Sequence, residues 1–435
     1  MSTSVATLEK IVALCKRRGF VYQSAEIYGG LNGVYDFGPL GTTLKNTIKQ
    51  TWLKYMTSFA EEILLLDGSI LGSPDIWKAS GHLDNFSDPM VDCLSCKKRY
   101  RADELDLSKN CPSCGNKQWT TIRQFNLMFQ TQLGAMADAS SIAYLRPETA
   151  QSIFVNFKNV YSSNRVKIPF GIAQIGKAFR NEITPKQFLF RMREFEQMEM
   201  EFFCKEAEAD AFFDTWVERR KQFFTSLGLT PDRIRARVHA PEELAHYAKA
   251  CTDIEYNFPF GWKELEGIAN RTNYDLKQHS QHSGKDLAVF DEATKTSYTP
   301  YVVECSVGVD RLFLTLLFDA YAEDVIEGET RTVLRLHPRI APYIAAVMPL
   351  TNKLDEQAHT FFTQLKGAGF NVQYDASGSI GKRYRRQDEI GTPVCFTYDF
   401  DTLNDHKVTA RNRDTTKQER IALDQVENYL SDLVK

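Results

Sequence analysis

The fold of this chain is decided by two neighbouring stretches, Ala178-Phe-Arg-Asn-Glu182 and Phe190-Arg-Met-Arg-Glu-Phe-Glu-Gln-Met-Glu-Met-Glu-Phe-Phe203. Residues 167–176, just before them, have the composition of a strand, and Thr184-Pro185 marks a polar loop. Two strands joined by a polar loop form an antiparallel hairpin. We therefore predict a hairpin over residues 167–203.

The two faces of this hairpin differ in chemistry, because side chains alternate along a strand. One face carries Arg191, Arg193, Phe195, Gln197, Glu199 and Glu201, and the other carries Met192, Met198, Met200 and Phe202. Arg180 and Glu182 also share a face. Guanidinium groups suit phosphates, a ring suits a base, and carboxylates suit an amine or a metal. The hairpin therefore predicts a nucleotide site on one face and core on the other.

Composition narrows the class of protein. The 435 residues suffice for about two or three domains. A net charge of -3 gives no global attraction to nucleic acid, so RNA contacts need local basic patches. Nine cysteines, an odd number in a large chain, argue against a disulfide framework. No apolar run reaches transmembrane length, so we expect a cytoplasmic protein that does not bind membranes.

A small insert at residues 91–118 holds two cysteine pairs. Cys93-x-x-Cys96 and Cys111-x-x-Cys114 are separated by fourteen residues, close to the spacing of four-thiolate zinc knuckles. The alternative is four unrelated buried cysteines, which two such pairs in one short polar segment make the weaker interpretation. We predict a closed, structural zinc site.

The other segments before residue 261 carry weaker signals. We expect a helix over 8–20, a Gly-rich loop over 28–41, a helix over 42–62 and one strand over 63–71 that ends at Pro74. Arg146-Pro-Glu-Thr-Ala-Gln151 fits a capped helix start as well as a functional site. Residues 205–260 are predicted to form a mostly helical subdomain.

Two later strands carry polar residues on one face. In 261–270, Glu264 and Glu266 alternate with Leu265. In 301–309, Val303, Cys305, Val307 and Val309 face one way, and Glu304, Ser306 and Gly308 face the other. Arg311 then stands in the first turn of an apolar helix, which is unfavourable unless an anion binds there. This junction therefore predicts an anion site, and the weaker alternative is a surface arginine at a helix start.

The pattern changes after about residue 333. Strands are predicted at 341–350, 371–374, 393–398 and 407–411, with helices at 352–365, 380–390 and 418–434. Alternating elements indicate a separate α/β domain. Gly381-Lys-Arg-Tyr-Arg-Arg386 holds four cations and a tyrosine, for which a solvated helix face and RNA contact are equally good interpretations.

Three separated motifs of the chain resemble the three motifs of class II aminoacyl-tRNA synthetases. They are the helix that leads into a strand ending at Pro74, the Phe-Arg-x-Glu hairpin, and the Gly-x-x-Arg strand–helix junction. Within that class the chain resembles the dimeric type of glycyl-tRNA synthetase over essentially its whole length. The shared stretches include Tyr28-Gly-Gly-Leu31, Asp36-Phe-Gly-Pro-Leu-Gly41, Trp77-Lys-Ala-Ser-Gly-His82, Tyr100-Arg-Ala-Asp103, Arg146–Gln151, 179–203, Gly261–Leu276 and Glu304–Arg311.

The resemblance implies an α+β fold with an antiparallel-sheet catalytic domain over 1–332 and an anticodon-binding domain over 333–435. It implies a homodimer that uses ATP, with Mg²⁺, to join glycine to tRNA(Gly) through a glycyl-adenylate. Arg180, Glu182 and Arg311 would be catalytic: Arg180 at the α-phosphate, Glu182 at the adenine or RNA terminus, and Arg311 at the γ-phosphate. Glu264 and Glu304 would bind Mg²⁺.

The resemblance also implies two sets of contacts. Those to ATP would come from Arg180, Asn181, Glu182, Phe190, Arg191, Met192, Arg193, Glu194, Phe195, Glu264, Leu265, Gly308, Val309, Asp310 and Arg311, with Phe195 stacking on adenine. Those to glycine would come from Arg101, Glu148, Phe195, Glu196, Gln197, Met198, Glu199, Glu304, Cys305, Ser306, Val307 and Gly308.

Three rival functions stay open at this stage. A non-catalytic, synthetase-like subunit that binds nucleic acid would have lost the ATP-contacting residues, whereas Arg180, Glu182, Phe195 and Arg311 are all present. A synthetase for threonine or proline would share the three motifs, although the sequence stretches Arg146–Gln151 and Glu304–Ser306 favour glycine. A zinc-ribbon binding module would account only for the short insert.

Overall fold

The structure is a computed structural model that describes residues 6–135, 141–326 and 328–434. Its helices are α1 Leu8–Arg18, α2 Pro39–Met56, α3 Pro74–Ala79, α4 His82–Asn85, α5 Ala150–Asn164, α6 Ala209–Ser226, α7 Tyr274–Ser283, α8 Val309–Ala320, α9 Asp355–Gly367, α10 Ile380–Ile390, α11 Thr402–Asp405 and α12 Val426–Leu433. Within these described ranges, no helix is both long and apolar enough to span a membrane.

Strands account for most of the remaining regular structure. They are β1 Val21–Gln23, β2 Tyr35–Phe37, β3 Ile63–Leu65, β4 Leu71–Gly72, β5 Ser87–Asp92, β6 Arg99–Arg101, β7 Arg123–Asn126, β8 Phe129–Gln132, β9 Ile142–Leu145, β10 Phe170–Phe179, β11 Glu194–Cys204, β12 Ile234–Val238, β13 Ala250–Phe258, β14 Gly261–Thr272, β15 Val289–Asp291, β16 Thr296–Tyr298, β17 Tyr301–Gly308, β18 Tyr321–Ile326, β19 Glu329–Leu334, β20 Ala345–Pro349, β21 Val372–Tyr374, β22 Val394–Tyr398, β23 Lys407–Asn412 and β24 Gln418–Ala422. The chain is thus α+β, as predicted.

A seven-stranded sheet in the order β12-β13-β14-β17-β11-β10-β3 is the framework of the larger part of the chain. The predicted hairpin is confirmed: β10 and β11 pair antiparallel, with Ala178 opposite Phe195 and Gln174 opposite Glu199. All neighbours in this sheet are antiparallel except β10 and β3. The polar side chains of β11 and β17 consequently lie side by side, with Glu199 opposite Ser306.

The two faces of the sheet are covered differently. One face packs on α1, α2, α6 and α8, and its core includes Met192, Met198, Met200, Phe202, Val303, Cys305 and Val307, as the alternation predicted. On the other face a smaller core, formed by α5 and α7, covers only the end near Phe170 and Phe203. The rest of that face carries the polar side chains of β11 and β17, so the site forms there.

Two predicted elements near the N-terminus differ in detail. Helix α2 begins at Pro39 rather than at residue 42, because a proline is well tolerated in the first turn. The single strand predicted over 63–71 is wrong, since β3 joins the large sheet and β4 pairs with β9 in another. The break falls at Gly68, whose N–H donates to Gln174 Oε1 at 2.6 Å and whose Cβ position is filled by Ser152.

The mostly helical subdomain predicted over 205–260 is also wrong for its second half. Helix α6 covers only Ala209–Ser226, and β12 and β13 then extend the central sheet at its edge. The segment is rich in charged residues. Their alternation in Ile234-Arg-Ala-Arg-Val238 instead fits an edge strand, on which Arg235 pairs with Glu255 across the ladder.

The C-terminal part contains a five-stranded sheet in the order β21-β20-β22-β23-β24, with its own core between the sheet and α9 and α12. Most predicted elements are confirmed, but the helix predicted over 418–434 is wrong in its first part. Residues 418–422 form β24, which pairs with β23. The predicted domain boundary at 332/333 falls inside β19 and stays a prediction.

Candidate active site

A cleft of about 390 Å³ opens on the free part of the central sheet. Its walls come from β11, β14, β17, the first turn of α8, the loop between β10 and β11, and residues in or next to the small sheet of β5, β6 and β7. The lining residues are Phe86, Asp88, Arg101, Leu127, Arg180, Glu182, Leu189, Phe190, Arg191, Met192, Phe195, Gln197, Glu264, Ser306, Gly308, Asp310 and Arg311. Thirteen of these belong to the predicted ATP or glycine contacts, whereas Phe86, Asp88, Leu127 and Leu189 do not.

Arg180 lies at the end of the hairpin with its guanidinium beside two rings. Its central carbon is 5.3 Å from the centroid of Phe195 and 5.4 Å from that of Phe86. Its Nε–H donates to the carbonyl of Pro147 at 3.0 Å. This bond fixes the stem of Arg180, and its two Nη atoms make no hydrogen bond to any residue in the described ranges. The cleft thus holds a positioned cation with free donors next to an aromatic ring.

Arg311 lies in the first turn of α8, directly after Gly308 ends β17. Its Nη1 donates to the Glu264 carbonyl at 2.9 Å and pairs with Glu264 Oε1 at 3.1 Å. The neighbouring Asp310 also lines the cleft, but its carboxylate is already paired: it binds Lys45 Nζ at 2.6 Å and accepts from the backbone N–H of Glu196 at 2.7 Å. Asp310 thus compensates the helix N-terminus, and Arg311 is left facing the cleft.

An aromatic cluster packs against the guanidinium of Arg311. The guanidinium carbon is 4.6 Å from the centroid of Phe190. Phe190 meets Phe258 and Phe260 edge-on at 5.4 and 5.5 Å, and these two rings stack on each other at 4.9 Å. Phe258 in turn contacts Phe318, on the same helix as Arg311. The position of the cation therefore depends on side chains outside the cleft.

The rim of the cleft is a network of charges from the insert and the hairpin loop. Arg101 donates to Asp88 at 2.9 Å and to Asp103 at 2.7 Å, and Arg191 donates to Glu104 at 3.1 Å. Burial raises the pKa of the Glu182 carboxyl, with Arg191 and Arg180 opposing the shift. The insert therefore contributes directly to the cleft, through Arg101.

Buried carboxylates lie immediately behind the cleft. Ser306 Oγ and Gln197 Nε2, which line it, donate to Glu199 Oε1 at 2.7 and 2.9 Å. The backbone N–H of Thr149 donates to the other oxygen of Glu199 at 2.9 Å. Glu148 pairs with His82 at 3.3 Å. These bonds hold the carboxylates in fixed positions without neutralising all of them.

Arg271 is the central cation of this cluster. Its Nη1 donates to Glu304 at 3.0 Å, and its Nε and Nη2 donate to Asp275, both at 2.9 Å. Burial raises the pKa of Glu304 to about 7 and also raises that of Glu199. Although burial opposes it, His82 and then Arg271 hold the pKa of Glu148 below its ordinary value. Such an array favours a small cationic ligand.

Several predicted contact residues lie away from the cleft. The predicted ATP contacts that do not line the cleft are Asn181, Arg193, Glu194, Leu265 and Val309. The predicted glycine contacts that do not line it are Glu148, Glu196, Met198, Glu199, Glu304, Cys305 and Val307. Of these, Glu148, Glu199 and Glu304 belong to the carboxylate cluster, whereas Met198, Cys305 and Val307 are core residues.

The other outlying residues have partners that explain their positions. Arg193 donates to the carbonyls of Asn32 and Glu182 at 2.7 and 2.9 Å, which ties the Gly-rich loop to the hairpin. Glu196 faces α2, where it pairs with Lys45 and Lys49 at 3.0 Å. Both side chains therefore have structural partners.

The single polar face predicted for Glu264 and Glu266 is wrong. A β-bulge lets Ile254 pair with Glu266 and Glu255 with Glu264, so that the two glutamates point to opposite faces. Glu266 is completely buried against Arg220, with Nε to Oε1 at 2.8 Å. Glu264 lines the cleft, but Glu304 does not, so the two predicted magnesium ligands are not brought together there.

The four cysteines of the insert converge. Cys93 Sγ is 3.6 Å from Cys114 Sγ, Cys96 Sγ is 3.7 Å from Cys111 Sγ, and all four sulfurs lie within 4.8 Å of one another. Backbone N–H groups of Cys96 and Ser95 help to hold the pKa of the Cys93 thiol below its ordinary value. Four convergent sulfurs are the donor set of a structural Zn²⁺ site, so the residues fit that ion.

Sequence reasoning missed the groups that organise the carboxylate cluster. His82, Gln151, Arg271 and Asp275 were not assigned a role, although all four lie in stretches shared with the resembling family. A usable signal was the spacing of Arg271 and Asp275, which places an opposite-charge pair at a strand–helix junction. The spacing alone does not show that this pair is buried within the carboxylate cluster, because burial depends on the tertiary structure.

Comparison with known proteins agrees with this geometry. Residues 135–320 match the family model of the tRNA synthetase class II core domain (G, H, P, S and T), and residues 345–433 match that of the anticodon binding domain. The cleft on an antiparallel sheet, with its two arginines, thus belongs to a class II aminoacyl-tRNA synthetase.

The relatives define the family more narrowly. Glycine–tRNA ligase from Caldanaerobacter subterraneus subsp. tengcongensis is 54% identical over 99% of each chain. The enzyme of that name from Alkaliphilus oremlandii is 52% identical over 99% of each chain, and that from Borreliella burgdorferi is 53% identical over 97% of this chain and 96% of its own. The chain belongs to the glycine–tRNA ligase family.

Proposed function

We propose that this chain uses ATP to join glycine to the 3′ end of tRNA(Gly), through a glycyl-adenylate formed in the cleft. One observation carries the proposal. Arg180, Phe195 and Arg311 face one cleft, and Ser306 links that cleft to the carboxylate cluster around Glu199. The cleft offers groups for a nucleotide, and the cluster offers groups for an ammonium, at adjoining positions.

ATP would lie across the cleft with its adenine on the Phe195 ring. The free Nη donors of Arg180 suit the α-phosphate, and Arg311 suits the γ-phosphate at the far end. Arg311 would exchange its pairing with Glu264 for the phosphate. Mg²⁺, which the family implies, would be held by Glu264 and would neutralise phosphate charge; Glu304 is not retained as a ligand, because it is paired with Arg271.

Glycine would place its ammonium among Glu148, Glu199 and Glu304. Its carboxylate is already ionised at neutral pH, so no general base is needed. A carboxylate oxygen attacks the α-phosphorus, the new P–O bond forms, and the bond to the β-phosphate oxygen breaks with pyrophosphate leaving with the electron pair. Catalysis consists of positioning and charge neutralisation by Arg180 and Arg311.

In the second step a hydroxyl of the terminal ribose attacks the glycyl carbonyl carbon. The ester bond forms, AMP leaves with the electron pair, and the hydroxyl proton is released. The C-terminal sheet would read the anticodon, with the exposed Lys382 on α10 available for RNA. Arg383 is not available, because it is buried and donates to the carbonyl of Gly378 at 2.7 Å. The family further supports a cytoplasmic homodimer as our proposal.

Selection of glycine would be by exclusion. Every competing amino acid is larger, and a closely packed pocket rejects an added methyl by overlap, whereas a smaller substrate is discriminated against by only about 1–3 kcal/mol per methylene. The ammonium is fixed by carboxylates that are themselves hydrogen-bonded, as Glu199 is by Thr149 and Ser306. Alanine therefore cannot shift outward to relieve the overlap.

The test is ATP–pyrophosphate exchange with a panel of amino acids, followed by charging of tRNA(Gly). We expect exchange with glycine, almost none with alanine or serine, and glycyl-tRNA as product. Strong exchange with threonine or proline would refute glycine specificity. Absence of exchange with every amino acid, from protein that is folded and binds tRNA, would instead support a non-catalytic binding subunit.

A further inference from the structure

Glu201 is a buried glutamate that none of the steps above uses. It lies on β11 two residues beyond Glu199, on the same face, opposite Glu304 on β17 and Ile172 on β10. Its side chain is completely buried, and neither carboxyl oxygen has a hydrogen-bond partner among the described residues. Buried polar atoms without partners are rare in folded proteins and call for an explanation.

The groups around Glu201 cannot neutralise its charge. The charged residues that face it are Glu304 on β17, Glu199 on β11, Arg271 at the end of β14 and Asp275 on α7. Three are carboxylates, and the donors of Arg271 are already directed to Asp275 and Glu304. An ionised Glu201 would therefore be an unpaired buried charge, which proteins avoid.

A neutral carboxylic acid resolves both problems, because it carries no charge and has an O–H to donate. Burial and the charge of Glu304 raise the pKa of Glu201 well above its ordinary value, which agrees with this geometry. Glu266, in the same sheet, shows the contrast. It is equally buried, but it faces the guanidinium of Arg220 at 2.8 Å and has a partner for its charge.

We propose that Glu201 is a positioning residue of the glycine pocket, present as a neutral acid that donates its O–H to the Glu304 carboxylate. Arg271 holds Glu304 from one side through Oε1. A second donor from Glu201 fixes the orientation of that carboxylate, so that its remaining lone pairs point to the ammonium of bound glycine. This inference rests on the proposed function, since it assigns Glu201 to the pocket for that substrate.

The test compares Glu201→Gln with Glu201→Leu in glycine-dependent pyrophosphate exchange. Gln keeps a neutral donor of the same shape, so the KM for glycine should stay close to that of the wild type. Leu has no donor, and losing a hydrogen bond to a charged group should raise the KM for glycine about tenfold, with the KM for ATP unchanged. Glu206→Gln and Glu206→Leu are the matched controls, because Glu206 follows the same strand and is exposed.

Each outcome decides the proposal. If Glu201→Gln raises the KM for glycine as much as Glu201→Leu, the carboxyl acts as a charge and the proposal is wrong. It is also wrong if Glu201→Leu behaves like the wild type. A wild-type chain without glycine-dependent exchange would refute the proposed function instead.

Infrared spectroscopy provides a second measurement that does not depend on activity or on the folding of the Leu variant. The wild type should show the C=O stretch of a protonated carboxylic acid that Glu201→Gln lacks. If the two spectra are identical in that region, Glu201 is ionised and the inference fails.

Discussion

Replacing Arg180 tests whether the cleft works by preorganised charge. Its Nε is bound to Pro147, its guanidinium lies beside Phe86 and Phe195, and its Nη atoms are free within the described part of the chain. The donors are therefore already in position before ATP binds, and no reorganisation is needed during the reaction. Arg180→Ala removes these donors, and Arg180→Lys keeps the charge but loses the planar fork.

The expected magnitudes separate catalysis from folding. Loss of one preorganised donor lowers kcat roughly 10²–10³-fold, so Arg180→Ala should fall in or above this range, with the Lys variant in between. The contacts with two rings contribute only about 0.5–1 kcal/mol at a partly exposed site, so the free energy of unfolding should change little. The KM for glycine should also change little, because the ammonium is held elsewhere.

The assay is pyrophosphate exchange under saturating ATP and glycine, with thermal unfolding measured on the same samples. Arg219→Ala is the matched control, because Arg219 also lies beside two rings, Phe59 at 4.1 Å and Trp216 at 4.8 Å, but outside the cleft. We expect this variant to exchange at nearly the wild-type rate. Exchange by Arg180→Ala at that same rate would refute the role of Arg180 at the α-phosphate.

Three further predictions follow from other parts of the chain. Protein purified without chelator should contain about one zinc per chain, as a four-thiolate site requires. The prediction is contradicted if no zinc is found and the thiols of Cys93, Cys96, Cys111 and Cys114 all react freely in the folded protein. Glu266→Gln should lower the free energy of unfolding by about 3–5 kcal/mol in urea denaturation, because it leaves Arg220 buried without a counter-charge, and wild-type stability would show that the pair is dispensable. Burial lowers the pKa of His279 from 6.5 to about 4, so the folded state binds fewer protons than the unfolded state between these pH values. The contribution of His279 to the free energy of unfolding is therefore fully present above pH 6.5 and falls by about 3 kcal/mol towards pH 4. Unfolding measured across this range should show a smaller loss for His279→Gln, and an equal loss would assign the pH dependence to other groups.

The central hairpin was predictable because its strands and their two faces follow from the local sequence. Alternation along β11 and β17 correctly separated Met198, Met200 and Cys305, in the core, from Glu199 and Ser306, on the site face. Strand periodicity depends only on the covalent geometry of the backbone, so a correct strand assignment fixes both faces at once. The same holds for the helix that places Arg311 after Gly308.

Features that depend on distant partners were not predictable in this way. The bulge that separates Glu264 from Glu266 arises from pairing with β13, and a one-residue shift moves a side chain to the opposite face. Arg193 and Phe195 have the same periodicity, yet Arg193 binds the Asn32 carbonyl because the Gly-rich loop packs there. Edge strands β12 and β24 were assigned as helices, since exposed charged segments carry little apolar pattern.

The rings beneath Arg311 affect how inactive variants of this chain should be interpreted. Phe190, Phe258, Phe260 and Phe318 form a continuous path from the cleft back to α8, so a substitution at Phe258 alters the support of a guanidinium that it does not touch. Such a variant can lose activity while remaining folded and able to bind its substrates. In a mutational survey it would be scored as a catalytic position, although its ring packs against the rings of Tyr256, Phe190, Phe260 and Phe318.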